Sequence, residues 1–176
     1  MTNTTNIMRK VILFIATSLD GYIASKNGDV DWLFTDNDYG TTAFIKTIDT
    51  ILMGRKTFQQ ALEFGLEYYE GKKIYVFTKL KKMKASDGVV FINQDPITFT
   101  KNLKKRKGKQ IWLMGGGELA STFQRNNLID GYSLFIHPII LGDGIPLFKN
   151  LPNISTLKLK NYKKFDSGLV RINYLK

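Results

Sequence analysis

The run Ile111-Trp-Leu-Met-Gly-Gly-Gly-Glu-Leu-Ala120 decides how the rest of the chain is read. Ile111 to Met114 form a short apolar run that predicts a buried strand. Three glycines then lead into a segment of helix-compatible composition. A strand that turns through glycines into a helix aims bare backbone N–H groups outward. Together with the positive end of the helix dipole, those groups suit a phosphate. Glycine is wanted there because a Cβ would block the ligand or forbid the backbone angles. The alternative is a tight turn with nothing bound. The same residues, Gly115-x-Gly117-x-x-Ala120, fit a dinucleotide fingerprint with alanine last. That fingerprint usually opens a domain and is followed by further strand–helix units, whereas only about a third of this chain remains.

Around this stretch, strand and helix patterns alternate. Lys10–Thr17, Thr50–Met53, Lys73–Thr78, Val89–Ile92 and Tyr132–His137 read as strands. Tyr39–Ile48, Phe58–Phe64 and Ile97–Lys107 read as helices, the last started by Pro96, and a fourth runs from the glycines to about Asn126. The tail, Ile154–Phe165 and Leu169–Leu175 about a turn at Asp166-Ser167-Gly168, reads as an antiparallel hairpin. The expected class is α/β, a mostly parallel sheet with an antiparallel C-terminal edge, in one domain over residues 1–176 with a flexible tail at 1–8.

Composition narrows the function. The 176 residues are 43% apolar and 23% charged, and there is no cysteine. A disulfide framework and a thiolate metal site are therefore excluded. His137 is the single histidine, so no histidine-rich metal site exists and a structural role is expected of it. No apolar run is long enough to span a membrane. The polar start lacks the order of a signal peptide, and a cytoplasmic protein is expected. The formal net charge of +11 favours anionic partners. The lysine runs Lys79–Lys84, Lys101–Lys109 and Lys158–Lys164 fall at turns and element ends, as a solvated surface would. No interleaving of basic and stacking aromatic residues suggests nucleic acid.

A second strand-to-helix turn, Gly54-Arg55-Lys56-Thr57, joins glycine to two cations and a hydroxyl. Thr78-Lys79 ends a third parallel strand. Turns at the carboxyl ends of parallel strands share one edge of the sheet, where open α/β sheets bind ligands. Three of them fit a dinucleotide with an extra phosphate. Asp20, Asp31 and Asp38 are the carboxylates placed to reach a substrate, each also readable as a turn residue on its own; Asp20 or Asp38, or a water, would supply the proton. Tyr22 and Trp32 are candidates to stack on the substrate, with core packing the equal alternative for Trp32. No Ser/His/Asp arrangement or carboxylate pair stands out, which suggests that a cofactor carries the difficult chemistry.

Four motifs together resemble the dihydrofolate reductase-like superfamily. They are Ser18-Leu-Asp-Gly-Tyr-Ile-Ala24, Met53-Gly-Arg-Lys-Thr-Phe58, Gly115-Gly-Gly-Glu-Leu119 and Pro138-Ile-Ile-Leu-Gly-Asp-Gly-Ile-Pro-Leu-Phe148. The closest resemblance is to bacterial proteins related to the reductase domain of the riboflavin-pathway deaminase–reductase. It implies a three-layer α/β/α fold and NADPH as hydride donor. By position, Gly54, Arg55, Lys56 and Thr57 would meet the cofactor phosphates, with Arg55 at the 2′-phosphate. Thr78 and Lys79 would lie along the adenosine. Gly115, Gly116, Gly117, Glu118 and Leu119 would cradle the pyrophosphate, and Ala16 would approach the nicotinamide. The resemblance further implies a cis Gly115–Gly116 peptide and a homodimer. The substrate side departs from the riboflavin-pathway pattern, with Tyr22 where lysine is usual and Val30 where serine is. The expected activity is reduction of a small pterin-like or pyrimidine-like heterocycle. The alternative is a non-catalytic nucleotide-binding module that keeps the cleft.

Overall fold

The computed structural model describes residues 8–80 and 88–176. Apart from Met8, the expected tail lies outside the described residues, as do Lys81, Lys82 and Lys84 of the first lysine run. The elements in order are β1 (Val11–Thr17), β2 (Tyr22–Ala24), α1 (Thr41–Lys46), β3 (Ile48–Gly54), α2 (Arg55–Phe64), β4 (Lys73–Phe77), β5 (Val89–Ile92), α3 (Pro96–Lys104), β6 (Gln110–Gly115), α4 (Gly117–Arg125), β7 (Gly131–Ile136), β8 (Ile145–Pro146), β9 (Lys158–Lys164) and β10 (Val170–Leu175).

Eight strands form one sheet in the order β5-β4-β3-β6-β1-β7-β10-β9, and β2 and β8 pair separately. β1 and β3 to β7 run parallel. β10 is antiparallel to both β7 and β9. Alternation along each strand divides the apolar residues between two cores. Val11, Leu13, Leu52, Ile111 and Leu113 face Leu103 of α3 and Ala120 and Phe123 of α4. Phe14, Ile51, Met53, Val76 and Trp112 face the other way, onto Phe44 of α1 and Phe58 and Ala61 of α2. Both faces of the central strands are covered, which is why they read as unbroken apolar runs. Among aromatic rings, Phe14 stacks on Phe44 at 4.0 Å between centroids. The Trp112 indole N–H donates to the Phe14 carbonyl at 2.9 Å.

The architecture matches the expected class, while several boundaries move. The helix expected over 39–48 is only Thr41–Lys46, because Ile48 is wholly buried in β3 opposite Gln110 of β6. Strand pairing and burial of a β-branched residue outweigh the helical spacing there. α2 starts at Arg55, so the Arg-Lys-Thr segment is its first turn. α3 begins at Pro96, capped by the Asp95 carboxylate accepting from Thr98 N–H at 2.8 Å, and stops at Lys104. β9 begins at Lys158, and Ile154 before it is 98% exposed.

Candidate active site

The carboxyl edge of the parallel strands brings the two glycine turns together. β3 and β6 are neighbours, with Met53 opposite Gly115. Gly54 ends β3 and Gly115 ends β6. From these adjacent ends α2 leaves for one face of the sheet and α4 for the other, the place where open α/β sheets form a ligand crevice. The Thr57 hydroxyl stands beside Gly116, where a Cβ would lie 3.4 Å from it. Gly115 has φ +118 and the Gly115–Gly116 peptide is cis, as the resemblance implied. Ala120 N–H makes the first bond of the fourth helix, to the Gly116 carbonyl at 2.9 Å. The amides of Gly117, Glu118 and Leu119 precede it and have no partner inside the helix. Neither α2 nor α4 has a side-chain N-cap. The first-turn amides of both helices thus remain available to an anion.

The basic groups are arranged to match. Half-buried Arg55 has its guanidinium 3.1 Å from the neutral Gln59 Oε1. Lys56 and Lys79 are exposed. Among the described residues, none of the three has a carboxylate within ion-pair distance. The Thr78 hydroxyl accepts from Leu80 N–H at 3.1 Å, fixing the end of β4. Glu118 is exposed and Leu119 half-buried at the start of α4. In strand order the edge therefore runs Thr78 and Lys79, Gly54, Gly115, then Ala16 near the end of β1. At about 4.8 Å per strand this is a track of roughly 14 Å.

Past Ala16 the edge changes character. His137 N–H donates to the Thr17 carbonyl at 2.8 Å, tying the end of β7 to that of β1. The imidazole Nε2 accepts from Phe34 N–H at 3.2 Å, so the ring proton is on Nδ1, 3.1 Å from the Phe135 carbonyl. Burial holds the His137 pKa below its ordinary value. Half-buried Trp32 meets the imidazole edge-on at 5.2 Å, and its buried indole N–H has no partner. A shallow cleft of about 330 Å³ opens beside Phe34, Thr35, Asp36 and Ser167. Tyr39 OH donates to Asp36 at 2.6 Å and lies 2.9 Å from the Ser167 hydroxyl. A second cavity, of about 240 Å³ between Gln124, Tyr132 and Leu157, lies apart from the glycine turns.

The two expected proton donors have other work. The Asp20 carboxylate accepts from the Ser18 hydroxyl at 2.6 Å and from the amides of Leu141 and Gly142 at 3.2 and 2.8 Å. The Ser18 bond, followed by the two amides, lowers its pKa. The Asp38 carboxylate accepts from the Thr42 hydroxyl and amide at 2.6 and 2.9 Å, which lowers its pKa as well. Both are exposed acceptors held ionised, the opposite of what a proton donor needs. Asp38 stands just ahead of α1, and an aspartate at that place signals a helix start. Tyr22 is half-buried in β2, opposite Pro146. Sequence reasoning missed the Phe34–His137–Trp32 cluster, for which a lone histidine gave no signal.

A family model described as the RibD C-terminal domain matches residues 9–63 and 70–171. The chain belongs to that family. Protein YyaP of Bacillus subtilis (strain 168), described as uncharacterized, is 40% identical over 178 residues, covering 94% of each chain. A Shewanella sp. PV-4 structure provisionally ascribed to riboflavin biosynthesis has 27% identity and a TM-score of 0.83, over 94% of this chain and 98% of that one. The diaminohydroxyphosphoribosylaminopyrimidine deaminase/5-amino-6-(5-phosphoribosylamino)uracil reductase of Thermotoga maritima superposes with a TM-score of 0.73 at 18% identity, over 96% of this chain and 56% of that one. Dihydrofolate reductase of Enterococcus faecalis, complexed with NADP(H), does so with 0.70 at 15%, over 94% and 95%. The fold of this RibD C-terminal domain protein is thus dihydrofolate reductase-like.

Proposed function

We propose that this protein is an NADPH-dependent reductase of a small heterocycle, pterin-like or pyrimidine-like. One observation carries the reading: two uncapped helix starts and their glycines meet at the ends of adjacent strands. A Cβ at Gly115 would come within 3.2 Å of Ile15 and one at Gly117 would run into the Pro146 carbonyl, so both positions demand glycine. The open first-turn amides beside them suit the oxygens of a diphosphate. In this reading Gly54, Arg55, Lys56 and Thr57 hold phosphate, with Arg55 at the 2′-phosphate. Gly115 to Leu119 hold the diphosphate, Thr78 and Lys79 flank the adenosine, and Ala16 faces the nicotinamide. NADPH supplies a hydride. The chain supplies orientation and a substrate pocket beside Trp32, His137 and Phe34. Asp20 and Asp38 are already engaged as acceptors, so the proton comes from water. A homodimer through the Pro138–Phe148 loop and the final hairpin belongs to the same reading and is measured by light scattering.

The test is a fluorescence titration with NADPH, followed by NADPH oxidation against a panel of pterins and pyrimidine ribosylamines. The reading expects micromolar binding and turnover with at least one compound. A flat titration at millimolar NADPH would falsify it. Binding without turnover would favour the second reading, a non-catalytic nucleotide-binding module that keeps the cleft.

A further inference from the structure

Ile139 to Lys149 is held at both of its ends, and the two anchorages lie in different parts of the molecule. At one end, Leu19 N–H donates to the Ile139 carbonyl at 2.8 Å, and the Asp20 carboxylate takes the amides of Leu141 and Gly142. Asp20 is itself steadied by Ser18, whose hydroxyl oxygen also accepts from Tyr22 N–H at 2.9 Å. In the middle, β8 pairs with β2, and Leu147 N–H donates to the Gly21 carbonyl at 3.0 Å. At the far end the segment reaches the start of α4. The Pro146 and Leu147 carbonyls back onto Gly117 with no room for a side chain between. Lys149 N–H donates at 2.8 Å to the Ser121 hydroxyl, which in turn donates to the Gly117 carbonyl at 2.6 Å. Arg125 holds the Lys149 carbonyl at 3.1 Å.

Each contact could be simple packing. Their sequence is what matters: a charged acceptor in the turn after β1 fixes a loop, and the loop's carbonyls and last amide fix the first turn of α4. The amides of that turn are the ones left open toward the crevice. The exposed Lys26–Asp143 pair adds little to this chain of contacts.

We infer that Asp20 is a positioning residue for the diphosphate seat, acting through the Ile139–Lys149 strut and Ser121 on the amides of Gly117 to Leu119. The inference rests on the reading of that turn as the cofactor seat. Asp20 touches neither the cofactor nor the substrate in this account. It sets the aim of backbone donors on the far side of the loop. A displacement of a few tenths of an ångström in such donors weakens charge-assisted hydrogen bonds to phosphate.

The test compares Asp20→Asn, Ser121→Ala and the double variant, each checked for folding by circular dichroism and melting. Two probes are titrated: NADPH, which needs both turns, and adenosine 2′-monophosphate, which carries no 5′-phosphate and needs only the Arg55 side. Each single change is expected to raise the NADPH Kd about tenfold, the weight of one hydrogen bond to a charged group. Adenosine 2′-monophosphate affinity should move less than about twofold, and the double variant should be no weaker than about tenfold, because both changes cut the same path. Unchanged NADPH binding in the folded single variants overturns the inference. So does an equal loss for both probes, or a double effect near the product of the singles. Ser121→Ala removes one oxygen from a helix and decides the matter if Asp20→Asn does not fold. If the unaltered protein fails to bind NADPH, the cofactor reading falls and takes this inference with it, an outcome distinct from the others.

Discussion

The two ends of the parallel sheet use the same kinds of side chain to opposite purpose. At the amino ends of the strands, two buried cations are paired. Arg9 meets Asp49 and donates to the Thr50 hydroxyl at 2.8 Å, and Asp49 also accepts from Lys109 N–H at 2.8 Å. Lys104 donates to both oxygens of Asp130 at 2.8 and 2.6 Å, while Asp130 takes the Val11 amide at 2.7 Å. At the carboxyl ends, Arg55, Lys56 and Lys79 have no carboxylate in reach among the described residues. A paired, buried cation fixes the fold. A cation left unpaired beside open amides is available to an anion from solution. The difference separates a stabilising end from the end that the proposed function makes the binding end, in a chain whose overall charge says only that anions are favoured.

The sharpest way to break that contrast is at the stabilising end. Asp130→Ala leaves the Lys104 ammonium without its partner, with a side chain only 10% exposed, and orphans the Val11 amide. Removing one member of such a pair costs about 3 kcal/mol. Urea unfolding should show that loss, while NADPH affinity of the folded protein stays within about twofold. A large loss of affinity with little loss of stability would invert the assignment of the two ends.

Arg55→Ala is the counterpart at the binding end. Arg55 has only Gln59 as a partner, so stability should change by less than about 0.5 kcal/mol. NADPH affinity should fall by about 2 kcal/mol, roughly thirtyfold, with NADH affinity almost unmoved, since only NADPH carries the 2′-phosphate. Equal losses for the two nucleotides would remove Arg55 from the phosphate.

Gly117→Ala probes where the two purposes meet. The new methyl would run into the Pro146 backbone carbonyl, which cannot rotate away. Overpacking of this kind costs about 1.5 kcal/mol. Because the displaced groups adjoin the first-turn amides, stability and NADPH affinity should both fall. A variant that melts early but binds normally would show that this glycine serves packing alone.

How far the chain could be read beforehand follows the same division. The edge strands and turns of the binding end announce themselves locally: Val89–Ile92 has the expected bounds, and Gly115 and Gly54 end their strands where glycine logic puts them. Such features depend on a few consecutive residues. β2 and β8 escaped notice because each is two or three residues long and its partner is more than a hundred positions away. The partners of Asp20 are hidden for the same reason. Its task is set by the amides of residues 141 and 142, and nothing near Asp20 in the sequence records them. The pairing of Lys104 with Asp130 was equally hidden, since a lysine at the end of a basic helix looks solvated until the fold brings an aspartate to it.

The smallest expected effect concerns His137, where the ends of β1 and β7 meet the aromatic cluster. Burial lowers its pKa, so the folded protein keeps the ring neutral where the unfolded chain, near the ordinary value of 6.5, takes up a proton. When the unfolded state binds more protons, stability rises with pH. The contribution is therefore fully present above the unfolded value and is lost as pH falls below 6.5 toward the lower folded one. Asp20, Asp38, Asp95 and Asp143 also have lowered values, but they start from 3.8 and act only in more acid solution. Between about pH 7.5 and 5.5 the histidine is thus separated from them. Urea unfolding at these two values should show a loss of up to about 1 kcal/mol, bounded by one proton per molecule. His137→Gln should flatten that dependence whatever it does to stability at neutral pH. A slope that survives the substitution would mean that another group titrates there.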